Sequence, residues 1–220
     1  MDWVAVGLTL RLAALTTAVL AVLGLPLAYW LATTRRPWRP FVDAAVAVPL
    51  LLPPTVLGFY FLMSTGPNTA IGRLYEQLAG GTIPFSFTGI LLASVVYNLP
   101  FAVRPFVAGF AAVDRRLIEA ARCLGASGPR TFFAVVLPLS WPAVLAGLVL
   151  AFAHTVGEFG VVLMVGGNIP GVTRTIALAI YDDVQALDYA GANEASLMLL
   201  VFAVSVLAVT YSLQRRTPTL

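Results

Sequence analysis

The chain contains no lysine; all 13 of its Lys and Arg positions are arginine. A P-loop sets a lysine on the nucleotide phosphates, and Schiff-base chemistry needs a lysine amine. Neither can be supplied here. Charge of either sign is scarce, at 10% of residues, against about 25% in a soluble domain. So few charges cannot cover a water-facing surface, whereas 60% hydrophobic residues suit lipid. The lone cysteine, Cys123, excludes an intramolecular disulfide and any Cys-rich metal centre, and is expected to be a small buried residue. The lone histidine, His154, stands four residues before Glu158. Two such groups are too few for a metal site and no HExxH pattern accompanies them, so a core or interface histidine is expected. The net charge of +3 lies in short arginine clusters beside apolar runs. That pattern orients a membrane protein and is no signal for nucleic acid. Met1-Asp2-Trp3 lacks the basic start of a cleavable signal, and the apolar run after it is too long for one.

What is present is a series of apolar runs, read as five transmembrane helices at about 4–32, 41–63, 88–110, 139–165 and 192–213, in a single unit over 1–220. The first run ends in Arg35-Arg36-Pro37-Trp38-Arg39-Pro40. The second carries Pro49, Pro53 and Pro54, which free backbone carbonyls that lipid cannot satisfy; a kinked helix inside a bundle is expected, beside a neighbour or a pathway. A polar, glycine-rich loop over 64–87 holds a short amphipathic helix near 71–78. The third run contains Asn98 and Pro100, with Arg104 near its end. With the first loop inside, Arg35, Arg36, Arg39, Arg115, Arg116, Arg122, Arg130, Arg215 and Arg216 face the cytoplasm, and only Arg73 and Arg174 face out. Arginine bias thus places the N-terminus outside and the C-terminus in the cytoplasm. No inverted repeat of the kind seen in secondary carriers stands out.

The loop over 111–138 is the strongly basic break in the chain. Leu117, Ile118, Ala121 and Leu124 can share one side of a helix, with Arg115, Glu119 and Arg122 spaced for local ion pairs. Gly125 is a C-cap candidate, Gly128-Pro129 a turn, and 131–137 a second helical turn that Pro138 breaks. The spacing is Glu119-Ala120-Ala121, three residues, Gly125, nine residues, Val135, one residue, Leu137-Pro138. This resembles the EAA loop of permease subunits of bacterial ATP-binding-cassette importers, with Val135 where the family commonly has isoleucine. Leu52-Pro53-Pro54-Thr55-Val56, Gly157-Glu158-Phe159-Gly160 and Gly167-Asn168-Ile169-Pro170-Gly171 followed by Thr173-Arg174-Thr175 are similar to the molybdate branch of that family.

The resemblance implies the all-α type I importer permease fold with a cytoplasmic coupling helix. It implies a non-catalytic homodimer in the bacterial inner membrane, two cytoplasmic ATPase subunits, an external oxyanion-binding protein, and alternating access for molybdate and tungstate. No cofactor is expected in this chain; ATP and Mg belong to the ATPase. Glu119, Ala120, Ala121, Gly125 and Pro138 are the expected coupling residues. Pathway, gate or structural candidates are Pro53, Pro54, Asn98, Arg104, Gly157, Glu158 and Gly160. Asn168, Pro170 and Arg174 are candidates for docking the binding protein. Glu158, near the outer end of its run, is expected to accept N–H groups of the 166–171 turn, to pair with Arg174, or to act in a gate. Arg104 either reaches the cytoplasmic interface or points into the pathway. Asp182, Asp183 and Asp188 form an acidic outer patch. A sulfate or thiosulfate permease of the same architecture is the alternative cargo reading. A carrier or channel working without an ATPase leaves the 119–138 spacing unexplained, and no Asp pair, Ser/His pair or metal set in the spans supports an intramembrane enzyme.

Overall fold

A computed structural model describes residues 2–215, and every regular element among them is helical. In order these are α1 (Trp3–Thr33), α2 (Arg39–Leu51), α3 (Pro54–Thr65), α4 (Ala70–Ala79), α5 (Phe87–Ala111), α6 (Arg115–Cys123), α7 (Gly128–Thr131), a π-helical turn (Phe132–Val136), α8 (Leu137–Val156), α9 (Gly160–Gly166), α10 (Ile176–Gln185) and α11 (Tyr189–Arg215). Four stretches are long and apolar enough to cross a membrane, or five if the bent pair α2–α3 is one span.

Small residues let the backbones approach. The buried stripe of α1 includes Ala5, Thr9, Ala13, Thr16, Gly24 and Ala28, a composition that favours close helix contact in lipid. α5 is the central helix and packs against α1, α2, α8 and α9. Its Phe106 is fully buried; a Cβ on Gly24 of α1 would lie 3.3 Å from this ring, and one on Gly147 of α8 2.8 Å from it. One apolar cluster, around Leu20, Leu31, Phe106, Phe110 and Val136, fills the end of the bundle nearest α6. The other, around Leu12, Leu57, Ile90, Val161, Val162 and Leu178, fills the opposite end.

The expected single kinked helix over 41–63 is instead two helices meeting at 115°. Pro53 and Pro54 are adjacent, so two N–H donors are missing and the residue before each is pushed into extended backbone; Leu52 has ψ 138 and Pro53 ψ 138. The fourth run also divides: α8 stops at Val156 and α9 begins at Gly160, with Gly157 and Glu158 in the break. Pro138 does not break the chain after α7. The helix continues from Gly128 to Val156, and the N–H of Leu137 donates to the carbonyl of Phe132, five residues back. A proline cannot donate to the carbonyl four residues before it, and a π-turn is one way to rearrange the bonding there. The amphipathic helix expected near 71–78 is α4, capped by Thr69 and by Gly80 at φ 71. α10 went unanticipated within the stretch read as loop. The C-terminal Arg216 lies outside the described residues.

Candidate functional site

Polar residues gather at the two ends of the bundle. At one end the chain leaves α5 and forms α6 as an exposed knob. Asp114 caps it, accepting from the N–H of Arg116 at 2.9 Å. No residue of α6 is buried. Glu119 and Ala120 are exposed and Ala121 half-buried; Leu117 is 48% and Leu124 89% exposed. Cys123 is exposed too, which corrects the expectation of a buried thiol. The carboxylate of Glu119 makes no ion pair with Arg115 or Arg122 among the described residues. Exposed pairs of that kind are worth a few tenths of a kcal/mol, too little to hold three long side chains in place.

The knob ends in a Schellman motif. The N–H of Gly125 donates to the carbonyl of Arg122 at 2.9 Å, and that of Ala126 to the carbonyl of Ala121 at 3.0 Å. Gly125 has φ 83, and a Cβ there would meet nothing within 4 Å. A side chain would therefore cost backbone strain alone. Gly125→Ala is expected to loosen the cap by ~1–2 kcal/mol and to speed hydrogen exchange of the Ala126 amide roughly fivefold to thirtyfold. Unchanged exchange would count against this account of the glycine.

The return path is fixed to the bundle. Thr131 and Val136 are buried. The Phe132 ring lies 4.9 Å from Tyr29 of α1 and 5.6 Å from Phe110 of α5. Ile118 packs against the same cluster from α6. A rigid support with an exposed apolar tip is the result. Pro138, at the start of α8, is exposed.

At the other end, Asn98 of α5 is fully buried and faces the break after α8. Its Nδ2 donates to Glu158 Oε2 at 3.0 Å and to the Ser94 carbonyl at 2.9 Å. Its Oδ1 lies 2.8 Å from His154 Nδ1. Since Asn98 Nδ2 donates to the carboxylate, its Oδ1 must accept, so the proton of the imidazole sits on Nδ1. The ring of His154 stacks on Phe101 at 3.9 Å. Glu158 is 4% exposed, and its Oε1 has no hydrogen-bond partner; the Ser94 hydroxyl is close but short of hydrogen-bond geometry. Glu158 thus takes neither expected partner. Arg174 is held by Asp182 at 3.0 Å and Asp2 at 3.9 Å instead.

The residues between and around these groups act as braces. Gly160 opens α9 where a Cβ would stand 2.7 Å from Pro54 Cβ, so glycine here lets α3 lie against α9. Gly157 caps α8 and is exposed. Arg104 reaches Asp43 of α2 at 3.2 Å. In the 166–175 turn, Asn168 has φ 57 and donates to both oxygens of Asp182 at 2.9 Å. Thr173, fully buried, donates to the Gly166 carbonyl at 2.7 Å and accepts from the Ile169 N–H at 2.9 Å. Asn168 and Arg174 are therefore engaged within the chain, while Ile169 and Pro170 project. Of the acidic patch, Asp182 is the centre of this clamp, and Asp188 accepts from the Gly191 N–H at 3.0 Å.

Sequence reasoning set His154 and Glu158 together by their spacing but missed that Asn98 joins them in one network. The available signal was a pair of i, i+4 polar patterns, Ser94 with Asn98 and His154 with Glu158, on two helices that each need a buried partner. Asp43 and Asp2, as partners of Arg104 and Arg174, carried no such signal.

Residues 20–217 match the family described as binding-protein-dependent transport system inner membrane component. The molybdenum transport system permease protein ModB of Azotobacter vinelandii is 50% identical over 214 residues, 97% of this chain and 95% of that protein. The ModB protein of Escherichia coli K12 is 40% identical over 84% of this chain and 80% of its own. A probable sulfate transport system permease protein of Chlorella vulgaris is 34% identical over 94% of this chain and 77% of its own. Among solved structures, a bacterial ABC transporter involved in import of the acidic polysaccharide alginate matches with TM-score 0.78 and 18% identity over 98% of this chain and 79% of that one. An inward-facing methionine ABC transporter matches with TM-score 0.72 and 20% identity over 96% of this chain and 93% of that one. Helix order, a knob between α5 and α8, and a match over most of the chain agree: this chain belongs to the binding-protein-dependent transport system inner membrane component family and has the fold of the type I ABC importer permeases.

Proposed function

We propose that the chain is the membrane subunit of an ATP-driven importer of molybdate and tungstate. It works as a homodimer, with two cytoplasmic ABC ATPase subunits and an external oxyanion-binding protein. One observation carries the cargo: the 50% identity with a molybdenum permease extends over nearly the full length of both chains. The likeness to a sulfate permease, at 34%, keeps sulfate as the second reading, since both anions are tetrahedral dianions. The missing lysine fits a subunit that leaves nucleotide chemistry to a partner.

Five spans cross the inner membrane in this reading: α1, the bent pair α2–α3, α5, α7 through α8, and α11. The arginine count supports a cytoplasmic α6 and an external 166–175 turn. α6 enters a cleft on the ATPase with Leu117, Ala121 and Leu124 as its apolar contacts. Glu119 lies beside them, and Gly125 ends the knob. When ATP closes the ATPase pair, the two knobs approach each other. Val113, Phe132 and Val136 pass the motion to α1, α5 and α8, because a close-packed interior shifts as a body rather than deforming. At the far end, the Asn98–Glu158 bond ties the α8–α9 break to α5, and the Pro54–Gly160 contact ties α3 to α9, so the helices there move together. Glu158 is then a positioning group for the outer gate; a carboxylate is a poor direct ligand for a dianion. Pro170 and Ile169 meet the binding protein, and Asn168 and Arg174 hold the turn that presents them.

The test is ATP hydrolysis by the complex reconstituted in vesicles, with binding protein loaded with molybdate, tungstate or sulfate. Molybdate and tungstate are expected to stimulate and sulfate to give the basal rate. Stimulation by sulfate alone would transfer the chain to the second reading, and stimulation by none of the three would sink the oxyanion assignment.

A further inference from the structure

Arg11 lies within the first apolar helix, and no carboxylate pairs with it among the described residues. Its guanidinium stands 4.6 Å over the ring of Phe87. A cavity of about 360 Å³ opens beside it, lined by Val4, Gly7, Leu8, Phe87, Gly171 and Val172. From this arrangement we infer that Arg11 and its groove bind the phosphate of an anionic phospholipid at the membrane face opposite α6.

Three features select that occupant. Val4, Gly7, Leu8 and Arg11 form one stripe of α1 at i, i+3, i+4 and i+7 spacing, and helical side chains lean toward the N-terminus. The charged end of Arg11 is thereby directed up the groove toward the membrane boundary, which the exposed Trp3 marks. The groove is otherwise apolar, and Gly7 has open space where a Cβ would be. The headgroup phosphate can meet the guanidinium within the groove while an acyl chain continues toward the bilayer centre over the exposed Leu15, one turn further along the same stripe of α1. Finally, Arg11 is the only lining residue whose side chain can donate a hydrogen bond. A dissolved tetrahedral dianion must exchange a full hydration shell for several donors, which this groove lacks, whereas a lipid phosphate keeps most of its shell and brings its own apolar tail.

The inference takes its membrane orientation from the proposed function and stands whether or not the cargo is molybdate. The test uses the full-length chain, purified in detergent and offered equal amounts of phosphatidylglycerol and phosphatidylethanolamine. Retained lipid is counted by native mass spectrometry, with and without sodium molybdate. The wild-type chain is expected to prefer phosphatidylglycerol about fivefold, the equivalent of ~1 kcal/mol for one arginine at a charged lipid surface. Arg11→Gln should abolish the preference, Arg11→Lys should keep most of it, and Gly7→Leu should lower it by filling the groove while leaving the cation in place. Equal retention of both lipids by the wild type, or a preference that survives Arg11→Gln, overturns the inference. So does displacement of phosphatidylglycerol by molybdate, which would assign the groove to the dissolved anion. Loss of dimer in Arg11→Gln with lipid preference intact would assign it to a second copy of the chain.

Discussion

Replacing Leu124 with aspartate is expected to uncouple transport from ATP while leaving the protein folded. Leu124 is 89% exposed and sits at the end of a helix with no buried residue, so its side chain contributes almost nothing to the fold of the isolated subunit. In the proposed assembly it is one of the apolar contacts that the ATPase cleft covers. Apolar anchors at the centre of an interface cost ~2 kcal/mol or more when lost, roughly thirtyfold in affinity. Aspartate adds the burial of a charge to that loss. The complex should therefore lose its ATPase on size-exclusion chromatography, and ATP-driven uptake into vesicles should fall to background. The thermal unfolding midpoint of the subunit in detergent should not move. Ile118 provides the contrast: it packs against the bundle core, so Ile118→Asp should lower the unfolding midpoint as well as uptake. An intact complex with full uptake in Leu124→Asp would remove α6 as the coupling element.

The legible parts of this chain were those written in local chemistry. Membrane residence follows from charge scarcity alone, and the α6 knob is visible because a helix and a left-handed glycine each have a residue-level signature, whereas Gly128-Pro129, expected as a turn, opens α7. The errors are of two kinds. Hydropathy averages over breaks, so Gly157 and Glu158 vanished inside an apolar run, and the turn at Pro53-Pro54 read as a kink although it bends the chain by 115°. Long-range partners have no local signature at all. Arg174 stands nearer in sequence to Glu158 than Asp2 does, yet the fold sets Asp2 beside it by bringing the start of α1 to the 166–175 turn, where Thr9 Oγ1 also accepts from the Ile176 N–H at 2.9 Å. Pairing a buried acid with the nearest cation in the sequence ignored Asn98, a neutral donor sixty positions away.

That neutral donor gives the second large expected effect. Asn98→Leu is nearly isosteric, but it removes the side chain that donates to Glu158 and the one that accepts from His154. Glu158 is 4% exposed and would keep its burial while losing its partner. Leaving a buried carboxylate without its donor costs more than the ~1–3 kcal/mol of a neutral group, a large share of the ~5–15 kcal/mol that holds a domain together. Asn98→Leu should therefore yield little monodisperse protein. The loss should be partly reversed by Glu158→Gln in the same chain, because the remaining defect is then an unsatisfied neutral amide worth ~1–3 kcal/mol. Such recovery separates a charge left without a partner from a simple packing fault, which Glu158→Gln could not repair. Glu158→Gln alone keeps an acceptor for Asn98, so the subunit should assemble and turn over more slowly, with the ratio of molybdate- to tungstate-stimulated ATP hydrolysis unchanged. If that ratio shifts, Glu158 touches the anion and is not a positioning group. If Asn98→Leu is as stable as the wild type, the network does not hold α5 to the α8–α9 break.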